Sequence, residues 1–226
     1  MNTVCLKRRH LLTSISALGL SGCSSIPLLS NLNDSLRPLL KGAGEYPMSL
    51  QEIESSPYAM LGVDVGGVSK AIMVLGEFQG RDLAWIAADR SILVTRNGRI
   101  VRTAGFETNL RDVSSSAHEP IDEAREHKSA RATQLVRQME WSGKGSGSYP
   151  ASVELTPKGS ETIQILNRAV RTLIVDESVE VRSLDWAVTN RYWMDSTTGA
   201  VVRTRQQFHP TMSVLTLEMI RPPVQP

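Results

Sequence analysis

Residues 61–70, LGVDVGGVSK, set an apolar run, a carboxylate and a glycine pair in an order that phosphate chemistry uses. Gly66 and Gly67 would let backbone amides approach phosphate oxygens, and Asp64 would serve a Mg²⁺ ion. Val68 replaces the threonine such a motif carries, and no second nucleotide motif follows. The simpler reading is a glycine turn between two antiparallel strands. His118 and His127 flank Glu119, Asp122, Glu123 and Glu126, but no HxxxH or HExxH spacing is present, so the stretch reads as a solvated charged segment. No serine nucleophile elbow occurs, and the scattered Asp and Glu single out no acid pair. The residues therefore nominate no catalytic group, no metal ligands and no cofactor.

The arginines of residues 91–105, SILVTRNGRIVRTAG, are a different kind of candidate. Asn97-Gly98 between two β-branched runs is a strong hairpin signal, because a type I′ turn needs positive φ at both central residues. A two-residue loop pairs Arg96 with Arg99, Thr95 with Ile100, Val94 with Val101 and Leu93 with Arg102. Like charges directly opposite cost up to about 1 kcal/mol. Either both tip arginines splay into water, or Arg96, Arg99 and Arg102 form a contact for an anion or a protein partner. Tyr192 and Trp193 are adjacent, so they point to opposite faces of a strand: one belongs to the core, and the other is exposed and could stack on a sugar ring.

The N-terminus bears on where the chain goes. Lys7, Arg8 and Arg9 form a basic region, and residues 11–20 form a short apolar run, too short to span a bilayer. Leu20-Ser21-Gly22-Cys23 then resembles the lipobox of bacterial lipoproteins, with the Cys23 thiol as the atom that receives the lipid. Ser24 after the cysteine implies sorting to the outer membrane. Arg8-Arg9 is also part of a twin-arginine pattern, though an incomplete one. Loss of residues 1–22 removes Cys5 and takes the formal charge from +2 to −1. The mature chain then has no disulfide to form, and its charge gives no argument for nucleic acid.

The elements that must position these residues are strands. Strand-like runs fall at 58–65, 70–78, 83–87, 92–96 and 99–104, then 134–141, 151–155, 162–166, 171–175, 179–188, 191–194, 200–208 and 213–220. Turns separate them at Gly66-Gly67, Asn97-Gly98 and residues 195–199. Ser49 and Glu52 fit a capping box for a short helix near 50–55. Residues 117–128 read as a surface helix or a loop, and residues 143–148, GKGSGS, as a mobile hairpin loop. The expected organisation is a lipoprotein signal at 1–22, a lipidated Cys23 and flexible tether through 48, a mainly-β domain over 49–221, and a proline-rich tail at 222–226. The domain is expected to be one antiparallel barrel-like or sandwich unit with one or two short helices.

Three strings carry a resemblance: SSPYAML at 55–61, LVTRNGRIVRTAGFETNL at 93–110 and TNRYWMDSTTGAVVRTRQQFHP at 189–210. They resemble the YjbF/GfcB lipoprotein family of group 4 capsule and exopolysaccharide operons, over residues 57–222. The resemblance implies an outer-membrane, periplasm-facing lipoprotein with a mainly-β, barrel-like domain. It also implies work beside an outer-membrane β-barrel protein and a periplasmic partner in polysaccharide secretion or assembly. No catalytic residues transfer with it. The expectation is a non-enzymatic secretion component. The alternatives are a lipoprotein that itself holds an acidic polysaccharide, and a polysaccharide-modifying enzyme.

Overall fold

The computed structural model describes residues 46–115, 119–128, 130–143 and 145–223. Cys23, the lipobox, the tether through residue 45, His118 and Lys144 lie outside the described residues. Among the described residues twelve strands follow one another: β1 (Met60–Val65), β2 (Ser69–Gln79), β3 (Asp82–Ile86), β4 (Ile92–Arg96), β5 (Arg99–Ala104), β6 (Thr108–Ser115), β7 (Thr133–Gly143), β8 (Gly147–Ile165), β9 (Arg168–Val181), β10 (Trp186–Asp195), β11 (Val201–Gln206) and β12 (Leu215–Arg221). Helix α1 (Leu50–Ser55) precedes β1, and α2 (Pro120–His127) lies between β6 and β7.

The sheet order is β5-β4-β3-β2-β1-β12-β11-β10-β9-β8-β7-β6. Every consecutive pair of strands except β5 and β6 is thus hydrogen-bonded, and β1 pairs antiparallel with β12 to carry the sheet round. This is a nearly closed up-and-down barrel. Its seam is between β5 and β6, where the Leu110 amide donates to the Thr103 side-chain oxygen (2.9 Å) instead of to a facing carbonyl. The connections alternate between two ends. The upper rim gathers the entry to β1, the 80–81 and 97–98 turns, α2, the 196–200 turn and the exit of β12. The lower rim gathers the 66–68, 105–107, 182–185 and 207–214 connections.

The main core fills the lumen, with Trp85, Leu110, Trp141, Val175, Tyr192 and Leu215 essentially inaccessible. An aromatic group closes the lower rim. Trp141 donates its indole N–H to the Phe208 carbonyl (2.8 Å) and meets Trp186 and His209 edge-on. A second core lies outside the barrel wall, where Ile53 of α1 and Ile163 and Ile165 of β8 pack with Met60 and Ile220. The capping box that starts α1 is present, Ser49 and Glu52 exchanging bonds.

Several element boundaries differ from the sequence reading. Residues 151–155 and 162–165 belong to one 19-residue strand, β8, because Pro157 and Gly159 sit at a bulge and do not end the strand. The run 179–188 is two strands, cut by a 3₁₀ turn at Arg182–Leu184 that puts Asp185 in the left-handed region. The segment 108–115 is a strand, β6. Helix α2 is a core element and not a surface helix: Ile121 and Ala124 are buried in the luminal cluster.

Candidate functional site: the arginine hairpin and the charged lumen

The turn at the tip of β4 and β5 has positive φ at both Asn97 (49°) and Gly98 (82°), as a type I′ turn requires. Arg96 does face Arg99. Thr95 pairs with Ile100 as expected, but beyond it the register slips, so Val94 pairs with Arg102 and Val101 is the extra residue. The expected pairs Val94–Val101 and Leu93–Arg102 therefore do not form. The bulge turns Arg102 outward, about half exposed, to within 3.9 Å of Asp82.

The two tip arginines part company. Arg96 stays on the wall and makes a forked bond to Asp82 (2.6 and 2.9 Å). Arg99 is 4% exposed and turns into the lumen. Its Nη1 lies 3.0 Å from Glu119, and its Nη2 3.3 Å from Glu177. The reading in which both splay into water thus fails for Arg99, and so does a direct role for Arg99 in an external anion contact. Burial with two carboxylates, not screening by water, is what relieves the like-charge pair. Only Arg96 and Arg102 remain on the outer face.

Around Arg99 the structure assembles a network that no local motif announced. Arg137 of β7 binds Glu177 (2.6 Å) and forks onto Glu119 (3.1 and 2.9 Å). Glu177 of β9 also accepts from Asn190 (3.1 Å) and from the Tyr192 hydroxyl (2.8 Å). On the far wall Gln206 accepts from the Ile100 amide (3.0 Å) and donates to the Gly98 carbonyl (2.8 Å). These bonds draw the hairpin tip across the lumen onto β11, while α2 is tied in by Glu119 and by Asp122, which accepts from Asn97 (2.6 Å). Glu119 sits at the helix's N-cap position yet makes no capping bond, its carboxylate being taken by the two arginines.

Two arginines and two glutamates balance in charge. Burial alone would raise the Glu177 carboxyl; Arg137 and Arg99 outweigh it and hold the group down to about 2. Burial would lower the Arg137 guanidinium, and Glu177 and Glu119 more than reverse that. Burial, then Glu177, raises the Tyr192 hydroxyl. Each shift favours one protonation state near neutral pH. None poises a group for proton transfer there. The cluster's chemistry is structural: it pins α2 and the hairpin tip inside the barrel.

The remaining sequence candidates have plain places. Tyr192 is fully buried and offers no ring face to a glycan. Trp193 is the outward residue of the pair, half-buried between the guanidinia of Arg191 (5.9 Å) and Arg203 (5.8 Å). Its indole N–H donates to Glu161. Asp64 accepts from the Gly67 amide (2.7 Å), so the carboxylate of the phosphate-like motif closes its own turn. His127 lies exposed near the end of α2, and His209 lies buried at the lower rim against Trp141. Among the described residues, no group of three or more His, Cys, Asp or Glu is placed to hold a metal ion, and no helix is long and apolar enough to cross a membrane.

The network did leave a trace in the sequence. Glu177 stands in the alternating column Val175, Val179, Val181, and Arg137 in the column Leu135, Met139, Trp141. A charge set in an apolar column of a half-buried strand must find a partner inside.

The architecture defines the class first: a nearly closed antiparallel barrel whose lumen is plugged by its own helix and hairpin. The chain belongs to the family described as "Group 4 capsule polysaccharide lipoprotein gfcB, YjbF", which matches residues 33–220. It is similar to the uncharacterized lipoprotein GfcB of Escherichia coli K12, 27% identical over 215 residues, covering 95% of this chain and 99% of the relative. The uncharacterized lipoprotein YjbF of the same organism is 26% identical over 178 residues, covering 78% and 81%. The crystal structure of the hypothetical lipoprotein YmcC from Escherichia coli superimposes with a TM-score of 0.66 at 26% identity, over 74% of this chain and 88% of that one.

Proposed function

We propose that this chain is a non-enzymatic outer-membrane lipoprotein, anchored through Cys23 and facing the periplasm, that takes part in capsule or exopolysaccharide secretion or assembly. Membership of the capsule lipoprotein family carries the reading. The burial of the luminal arginines and glutamates against one another agrees with it, since the network's charges are taken up by their own partners. Its partners are an outer-membrane β-barrel protein and a periplasmic protein of the export system. The Arg96–Asp82–Arg102 patch on the outer wall is the proposed contact. Deleting the chain from its own cell should leave polymer synthesised but held back from the surface. Normal surface polymer with altered chemical composition would instead indicate an enzyme.

A second reading has one observation in its favour. Trp193, framed by two guanidinia, combines a ring face with positive charge, as an acidic sugar would require. If the domain holds polymer there, acidic oligosaccharide binds by calorimetry and Trp193→Ala abolishes it.

A further inference from the structure

An eight-stranded barrel is just filled by its own side chains, and wider barrels enclose space that something else must occupy. Here α2, the inward hairpin tip and the lower-rim aromatics occupy most of the lumen. One part is left over. A cavity of about 650 Å³ opens at the upper rim, walled by Leu61, Leu83, Leu217 and Met219. That volume is in the range of small-molecule sites, and dry apolar cavities take apolar guests.

We propose that this mouth binds a hydrocarbon chain of a membrane phospholipid, with its phosphate held at the rim by Arg125. Three observations point to that occupant. The walls are mostly apolar, with Arg81, Arg125 and Arg203 among the polar lining, which suits an acyl chain carrying an anionic head better than a neutral sugar. Arg125 lines the same mouth, and its buried Nε has no hydrogen-bond partner among the described residues. A buried donor left unpaired costs free energy that an oxygen acceptor would recover. Third, three of the exposed apolar residues, Tyr58 (60%), Phe78 (50%) and Leu50 (38%), lie toward the same end, and Phe78 borders the cavity, while Val68 and Ile86 lie at the other end.

The test uses the full chain in phosphatidylethanolamine–phosphatidylglycerol vesicles doped with a phosphatidylglycerol bearing a terminal diazirine on one acyl chain. After irradiation, mass spectrometry of peptides locates the adducts. The expected result is adducts on the peptides containing Leu83, Leu217 and Met219, in the unmodified chain and in Cys23→Ser alike. Leu217→Trp, which fills the mouth, should cut them at least five-fold with the far-UV circular dichroism unchanged. Met219→Trp is a second filler should the first not fold. Arg125→Gln should cut them several-fold. Adducts confined to the outer residues Leu50, Tyr58 and Phe78 would overturn the proposal. Mouth adducts that appear only in Cys23→Ser would give the site to the chain's own lipid and overturn the phospholipid assignment.

Discussion

Replacing Glu177 by Gln tests the account of the lumen at its centre. The change keeps shape and removes one negative charge, leaving Arg99 and Arg137 to share Glu119. Breaking a buried, hydrogen-bonded ion pair in this way typically costs about 3–5 kcal/mol. The protonation equilibrium gives a second handle. The native carboxyl is depressed to about 2, against about 4.3 in an unfolded chain, so its ionisation contributes ~3 kcal/mol of stability. Because the folded value is the lower one, that contribution is complete above pH ~5 and fades as pH falls through 4 toward 2. By pH 3 roughly half of it is gone. Urea unfolding of wild type and Glu177→Gln at pH 7 and pH 3 should therefore show a large gap at pH 7 that shrinks in acid. A gap below ~1 kcal/mol at pH 7, or one that does not change with pH, would refute the reasoning.

Other outcomes follow from the same geometry. Gly98→Val should destabilise the fold by about 3 kcal/mol or more in thermal melts. A Cβ there would come within 2.4 Å of Val201 Cγ1, and φ is already +82°. Tyr192→Phe removes the 2.8 Å bond to a charged, buried acceptor and should cost about 1.5–3 kcal/mol by urea unfolding. Ser49→Ala loses the α1 cap and should cost about 1 kcal/mol or less. Arg96→Ala with Arg102→Ala leaves the buried Asp82 carboxylate without its forked partner and should cost about 1–3 kcal/mol by urea unfolding. The same double variant should lower export of polymer if the outer patch is the partner contact.

How much of this was legible depended on range. Features set within a few residues were readable: the Asn97-Gly98 turn, the Ser49–Glu52 box and the strand-and-turn spacing that marks an antiparallel barrel or sandwich. Features set by partners far along the chain were not. Arg99 looks like a surface residue until Glu177 is brought beneath it. Helix α2 is charged along most of its length, yet its few apolar residues and Glu119 face inward, so composition argued for water where topology supplied a lumen. Pro157 and Gly159 are strand-breaking residue types, but on a long strand a bulge accommodates both. Arg102 was misplaced for a related reason. The bulge at Val101 is a sheet-level feature, and one extra residue reverses every side chain beyond it.

The most direct test of the proposed function is photo-crosslinking in intact cells, with probes at Arg96, Arg102 and Trp193, the outward-facing members of the candidate set. The account expects Arg96 or Arg102 to capture an outer-membrane barrel or a periplasmic protein of the polysaccharide export system. Capture of glycan alone, at all three positions, would contradict it and make the domain a polymer binder.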